Sequence, residues 1–302
     1  MNSNAGFSRP TMKPAFSLLS AATAPGSSVN EDAYGLWPTP GAPRAAWMLD
    51  GVTGINDRAL LPGPTDAAWF VAQVQELLPA LLSGTPDCPI ADLIAALARA
   101  LERRQSASWL DARGADGRET PAASFALVRL LGEEVEIARL GDCLVLLERR
   151  DGTVQTLEHP VLEQIERTTR RTILELRAAG VTDPREIRQR MMPVLRTQRR
   201  RRNLPDGYGV LAPEQDCVAM LHIDYLPTSA LRRILLASDG YYRLVDHYRE
   251  MTDAVLVRRT AGRGAAQLLK DLRAIEAGDP MGEIYPRLKI SDDATALLVG
   301  IP

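Results

Sequence analysis

Lysine is almost missing from this 302-residue sequence. Lys13, Lys270 and Lys289 are the only three, so 33 of the 36 basic residues are arginines. Histidine and cysteine also number three each, and aromatic residues make up 5%. Cys88, Cys143 and Cys217 form an odd set without C-x-x-C or Cys/His spacing. That excludes a disulfide scaffold and a zinc finger, and reads as free thiols in a reducing compartment. No apolar run reaches the ~18 residues a spanning helix needs, so no membrane segment is expected. Lys13 precedes AFSLLSAATA, a faint likeness to a signal peptide, but the stretch is short and broken by Ser17 and Ser20. It reads instead as a first strand, Ala15–Ala24, after a loose tail at 1–14, in a cytoplasmic protein.

What is present is ordinary globular composition: 45% hydrophobic and 25% charged residues. Disorder, collagen and coiled coil are excluded for the whole chain, and the length supports a proper core. Basic and acidic residues, 36 against 38, leave a net charge of -2, which argues against a general nucleic-acid or membrane binder. The balance is uneven, however. Between Arg167 and Arg202 twelve arginines face three acids (Glu175, Asp183, Glu186), so that stretch carries +9 and the rest -11.

Apolar alternation and turn residues predict strands at Ala45–Leu49, Ser124–Leu131, Val135–Leu140, Cys143–Glu148, Thr153–Leu157, Tyr208–Leu211, Cys217–Ile223, Arg233–Ala237 and Ala294–Ile301. The 3.6-residue period predicts helices from Pro64-Thr65-Asp66 onward, over Ile90–Trp109, Val161–Ala178, Asp183–Arg196 and Asp253–Glu276. Asp183-Pro184-Arg185-Glu186 suits a cap with Pro at the first helical position and Glu reaching back. Helix pairs set apart from runs of strands indicate an α+β fold.

Acids recur at the ends of these strands: Glu31-Asp32, Asp50-Gly51, Ser238-Asp239-Gly240 and Asp292-Asp293. Taken singly, an Asp-Gly pair is turn chemistry. Together, several carboxylates at one sheet rim repel one another unless a cation neutralises them. Oxygen ligands without His or Cys suit Mg²⁺ or Mn²⁺.

The ordered set resembles the PPM family of metal-dependent, PP2C-like serine/threonine phosphatases, bacterial type. Asn30-Glu31-Asp32 resembles the family's [NM]-[EQ]-D, Asp50-Gly51-Val52-Thr53-Gly54 its D-G-x-G-G, and Gly141-Asp142-Cys143 its G-D-S. Ser238-Asp239-Gly240 resembles S-D-G, and Asp292-Asp293-Ala294-Thr295 the closing D-N-x-T. The likeness covers residues 15–302, with an Arg-rich flap at about 160–205. It implies a four-layer αββα sandwich of two antiparallel sheets flanked by helix pairs. It implies two divalent ions, Mn²⁺ or Mg²⁺, bridged by Asp50, with Glu31 and the Gly51 carbonyl on one and Asp239 and Asp292 on the other. Asp32 would hold metal-bound water, and Asp142 a weak third ion. Asp32, Asp50 and Asp239 would then carry catalysis: a water shared by two cations attacks phosphorus in line, hydrolysing phosphoserine or phosphothreonine in a protein substrate. A monomer is expected, without membrane or nucleic-acid partners.

Several positions depart from the family pattern. Its phosphate-binding Arg position holds Ser27, which leaves substrate binding unassigned, with Arg44, Arg58 and the Arg-rich segment as candidates. Thr53 replaces a glycine, Arg243 stands where another acid is usual, with Asp246 a poor substitute, and Asp293 replaces an Asn. Val52 sits where some members have His, and His159, His222 and His247 read as structural. These departures support a second reading, a weak or inactive module that binds a phosphorylated partner. The arginine segment has three readings: a solvated helix face, a flap attracting phosphoprotein, or polynucleotide contact. The last lacks any aromatic residue for base stacking.

Overall fold

A computed structural model describes residues 14–39, 41–52, 61–104, 120–157 and 159–302. In chain order the elements begin with β1 (Ser17–Ala24), β2 (Asp32–Trp37), β3 (Ala45–Gly51), α1 (Asp66–Gly84) and α2 (Ile90–Arg103). They continue with β4 (Ala123–Leu131), β5 (Glu134–Leu140), β6 (Leu144–Arg149), β7 (Val154–Leu157), α3 (Pro160–Ala178) and α4 (Pro184–Arg199). Last come β8 (His222–Pro227), β9 (Leu231–Ala237), α5 (Asp239–Asp246), α6 (Asp253–Arg263), α7 (Ala265–Gly278) and β10 (Ala294–Gly300).

The central strands are apolar on both faces. Trp47 and Leu49 of β3 point one way and Ala46 and Met48 the other, as the two-residue period of a strand requires. Such strands must be covered on both sides. Two five-stranded antiparallel sheets form, ordered β2-β3-β4-β5-β8 and β1-β10-β9-β6-β7. They pack face to face through Met48, Val128, Ile137, Val145, Leu236 and Leu297. Outside the first sheet, α1 and α2 bury Phe70, Leu78, Ile94 and Leu97 against it. Outside the second, α5, α6 and α7 bury Tyr241, Leu256 and Leu268. The expected α+β four-layer sandwich is the fold observed.

The differences are local. Tyr208–Leu211 is not a strand; it makes only single bridges, Arg202 to Tyr208 and Leu211 to Ala123. Cys217 lies in a 3₁₀ turn, Gln215–Met220, and the edge strand starts later, at His222. The expected helix over Asp253–Glu276 is two, broken at Gly264, whose φ of 86° no helix accommodates. Asp183 caps α4 by accepting from the Arg185 N–H at 2.9 Å, but Glu186 reaches forward to Arg190 at 2.5 Å, not back. At this cap an i,i+4 ion pair outcompetes the capping box. The expected second helix ends at Arg103, and residues 105–109 lie outside the described residues.

Helices α3 and α4 form a hairpin with a small core of its own: Ile173, Val181, Ile187 and Met191. Leu288 of the loop before β10 packs on it. Among the described residues no helix is long and apolar enough to cross a membrane.

Candidate metal centre

The acid-bearing strand ends meet at one rim. In the first sheet, Asp32 at the start of β2 pairs in register with Asp50 on β3, and Asp50 pairs with Ser124 on β4. The Gly51 N–H donates to the Glu31 carbonyl at 2.9 Å, tying the two motif segments together. The Ser124 hydroxyl donates to the Asp142 carboxylate, and the Asp142 N–H donates back to Ser124 Oγ at 3.2 Å. Gly141 has φ 84°, and a Cβ there would stand 2.2 Å from Ser124 Oγ, so only glycine brings Asp142 this close. In the second sheet, β9 delivers Asp239 at the first position of α5, and Asp292 lies two residues before β10 begins at Ala294. Ser238 and Thr295 lock these ends together through Ser238 N–H to Thr295 O at 3.0 Å and Thr295 N–H to Ser238 Oγ at 2.9 Å.

The electrostatics follow from this crowding. Glu31 and Asp32 are 7% and 6% exposed. Among the described residues neither carboxylate oxygen of Asp32 makes a well-formed hydrogen bond, although the Ser238 and Thr295 hydroxyls lie close enough to favour its charged form. Burial pushes the Asp32 carboxyl up to about 8, with Asp239 and Asp293 adding repulsion and the Ser238 and Thr295 hydroxyls pulling the other way. Burial raises Asp50 well above the carboxylate range, helped by Asp32, Asp239, Asp142 and Asp292. Asp239 rises to about 6 through burial and the charge of Asp292. Asp142 is raised by burial, against the Ser124 hydrogen bond.

Asp292 behaves differently. Burial opposes its ionisation, yet Arg243 and Lys289 outweigh that and hold it below the usual range. Arg243 Nη2 donates to Oδ2 at 2.7 Å and Lys289 Nζ to Oδ1 at 2.7 Å.

The set fits divalent cations in its chemistry. It is all oxygen, its members repel one another, and the buried Asp32 carboxylate is unsatisfied. As the side chains stand, no group of three or more His, Cys, Asp or Glu among the described residues encloses a point where one ion would sit. Asp292 is turned to its two cations and Asp142 to Ser124.

Other predicted positions are placed as follows. Arg44 lies at the far end of β3, roughly 20 Å along the strand from Asp50, and binds the Leu130 carbonyl and Asp87. It does not reach the rim. Ser27 bonds within its own turn, its hydroxyl donating to the Val29 carbonyl at 3.3 Å. Arg58 and Thr53 lie outside the described residues. Asp246 lies near Glu166 and Asp239, and burial and those charges raise it to about 7.

Sequence reasoning missed Glu166 and Lys289, and named Arg199 only as part of the arginine-rich run. Glu166 on α3 is raised by burial and then by Asp239. Burial lowers Arg199, at the end of α4, while Tyr208, Glu31 and Asp142 favour its charge. Only Lys289, one of three lysines and three residues before Asp292, carried a local signal. Of the segment's other arginines, Arg167, Arg171 and Arg190 pair with acids one turn away, and Arg170 meets His247 Nδ1 at 3.0 Å.

No curated protein matches the chain. The fold matches the serine/threonine phosphatase Stp1 from Staphylococcus aureus at 11% identity and TM-score 0.54, covering 98% of this chain and 100% of that one. It matches the Mycobacterium tuberculosis serine/threonine phosphatase PstP/Ppp at 16% identity and TM-score 0.53, covering 95% and 98%. It also matches PppA of Pseudomonas aeruginosa, a regulatory component of its T6SS, at 14% identity and TM-score 0.50, covering 96% and 98%. The sequence profile of Protein phosphatase 2C matches residues 23–273, so the chain belongs to that family of metal-dependent protein phosphatases, whose members use two metal ions.

Proposed function

We propose that this rim hydrolyses phosphoserine and phosphothreonine in proteins. The observation that carries the reading is the in-register pairing of Asp32 with Asp50, with both Asp32 oxygens buried and unsatisfied and Asp142, Asp239 and Asp292 close enough to perturb Asp50. Asp50, Glu31 and the Gly51 carbonyl would hold one divalent ion; Asp50, Asp239 and Asp292 would hold the other, with Asp142 a weak third ligand set. Bound Mn²⁺ or Mg²⁺ supplies Lewis-acid chemistry, acidifying water and offsetting phosphoryl charge. Asp32, buried at the rim beside the Ser238 and Thr295 hydroxyls, orients the attacking water in line and takes its proton. Ser124 fixes the position of the Asp142 carboxylate, and Asp293 keeps Glu31 in place. Residues 15–302 work as one unit, a cytoplasmic monomer, with 160–205 as the flap over the phosphoprotein.

Turnover of a phosphothreonine peptide and of p-nitrophenyl phosphate with Mn²⁺ tests this. Asp50→Asn and Asp239→Asn should each lose roughly a hundredfold or more in kcat, as loss of a transition-state charge contact does. Full activity in either variant would remove the assignment. A second reading, a weakly active module that binds a phosphorylated partner, is favoured by the two cations on Asp292. Phosphopeptide binding without turnover at saturating Mn²⁺ would select it.

A further inference from the structure

Both oxygens of the rim carboxylate Asp292 are taken by protein cations. Arg243 stands one helical turn after Asp239 on α5 and bonds Oδ2; Lys289 bonds Oδ1, each at 2.7 Å. The Asp292 carbonyl is held as well, accepting from Arg273 Nη2 at 2.7 Å. The pairs are mostly shielded from solvent, with side-chain exposures of 18% for Arg243 and 16% for Asp292. Such charge-assisted bonds are the strong kind and do not yield to water. Arg243 also faces Asp239, and its Nη1 is buried without a partner. Both cations are anchored from outside the rim. Lys289 follows Leu288, which packs on the α3–α4 core. Arg243 lies one turn before His247, which meets Arg170 of α3.

We propose that Arg243 and Lys289 are internal counter-ions that compete with a divalent cation for Asp292. This rests on the metal-centre reading above. One ion binds through Glu31, Asp50 and the Gly51 carbonyl, away from the pair. A second ion that uses Asp292 has to displace two short bonds and enter beside two positive charges. Its affinity is lower than the first by about tenfold to a hundredfold, the worth of one to two such bonds. Leu288 and His247 tie the segments that carry the two cations to α3 and α4, and the difference in affinity makes the ion at Asp292 the later one to load.

Mn²⁺ titration of the metal-stripped full chain, read by calorimetry and by the loss of the free-Mn²⁺ electron-resonance signal, tests the competition without any turnover. Wild type should show one strong ion and one at least about tenfold weaker. Arg243→Gln and Lys289→Gln, each alone, should strengthen the weaker ion about tenfold and leave the stronger unchanged. Lys289→Gln removes a half-exposed group and keeps the test standing if Arg243→Gln folds poorly. Arg263→Gln, which breaks a surface pair with Asp271, should change neither ion. Two equally strong ions in wild type, variant isotherms superimposable on wild type, or an equal shift in Arg263→Gln would each overturn the competition alone. Absence of Mn²⁺ binding in every protein would instead remove the metal-centre reading, and the competition with it.

Discussion

Asp293 Oδ2 accepts the backbone N–H of Glu31 at 2.6 Å, and its Oδ1 accepts that of Gly26 at 2.7 Å. One carboxylate thereby fastens the approach to β2 onto the start of β10, across the two sheets. This explains why the position tolerates Asp where the family pattern has Asn: both oxygens are used as acceptors. Asp293→Asn replaces one acceptor by an NH₂ facing a backbone N–H. The expected cost is about 1–3 kcal/mol of stability, read by urea denaturation in chelator. Glu31 should move as well, so Mn²⁺ affinity should fall in the same variant. An unchanged midpoint and isotherm would show that Asp293 is not a tie.

The raised carboxyls predict how pH acts on the metal-free protein. Asp32 sits at about 8 in the fold and Asp246 at about 7, against about 3.9 for a free Asp. Between pH 6.5 and 8 the folded chain therefore holds protons that the unfolded chain has already lost. Stability must fall as pH rises through that window. Below it, His247, held down to about 4 by burial and by Arg243 and Arg170, works in the opposite sense. The melting temperature in chelator should drop from pH 6.5 to 8 and recover with saturating Mn²⁺, whose binding releases protons. Asp32→Asn should flatten the slope. A melting temperature that rises over this window in chelator would contradict the assignment.

These two cases show what the sequence could and could not reveal. The two-sided apolar strands around Met48 and Val128 are visible as short continuous apolar runs, and the motif order that places Asp32, Asp50, Asp239 and Asp292 at strand ends is visible as well. The partners of those acids are not. Arg243 is visible as an unexpected charge, but its bond to Asp292 spans 49 residues, and no local pattern encodes that. Tyr208–Leu211 misleads for a related reason. Its apolar residues serve a small cluster with Ala122 and Ala212, not a ladder, and a few β-formers look the same in either role. The break at Gly264 was available in the sequence, since glycine inside a helical period signals a possible stop.

Gly141→Ala tests the support under Asp142. The added methyl meets Ser124 Oγ and Cβ, and φ of 84° is unfavourable for alanine. A loss of more than about 1 kcal/mol is expected, together with weaker binding of any third ion. Ser124→Ala separates the two effects: it removes the hydrogen bond to Asp142 while leaving the turn unstrained. It should reproduce the metal defect with a smaller stability loss, measured by thermal melting and Mn²⁺ titration.

Arg199, at the end of α4, lies where its charge interacts with both Glu31 and Asp142. The segment that follows it is firmly docked. Arg202 is buried and donates to Thr120 Oγ1, Asn203 Oδ1 accepts from the Val210 N–H at 2.8 Å, and Leu211 bridges to Ala123 beside Gly51. Arg199 thus approaches the rim from a built platform, on the sheet end that carries Asp50. With Ser27 in the usual place of a phosphate-binding arginine, Arg199 is the residue expected to meet substrate phosphate. Arg199→Ala should raise KM for a phosphothreonine peptide about tenfold, the worth of one charge-assisted contact, with a smaller change in kcat. Arg199→Lys should recover only part of the loss, because a single ammonium cannot replace a bidentate guanidinium. Arg44→Ala, at the other end of β3, should leave KM unchanged, and a KM effect there equal to that of Arg199→Ala would show that neither residue contacts phosphate directly.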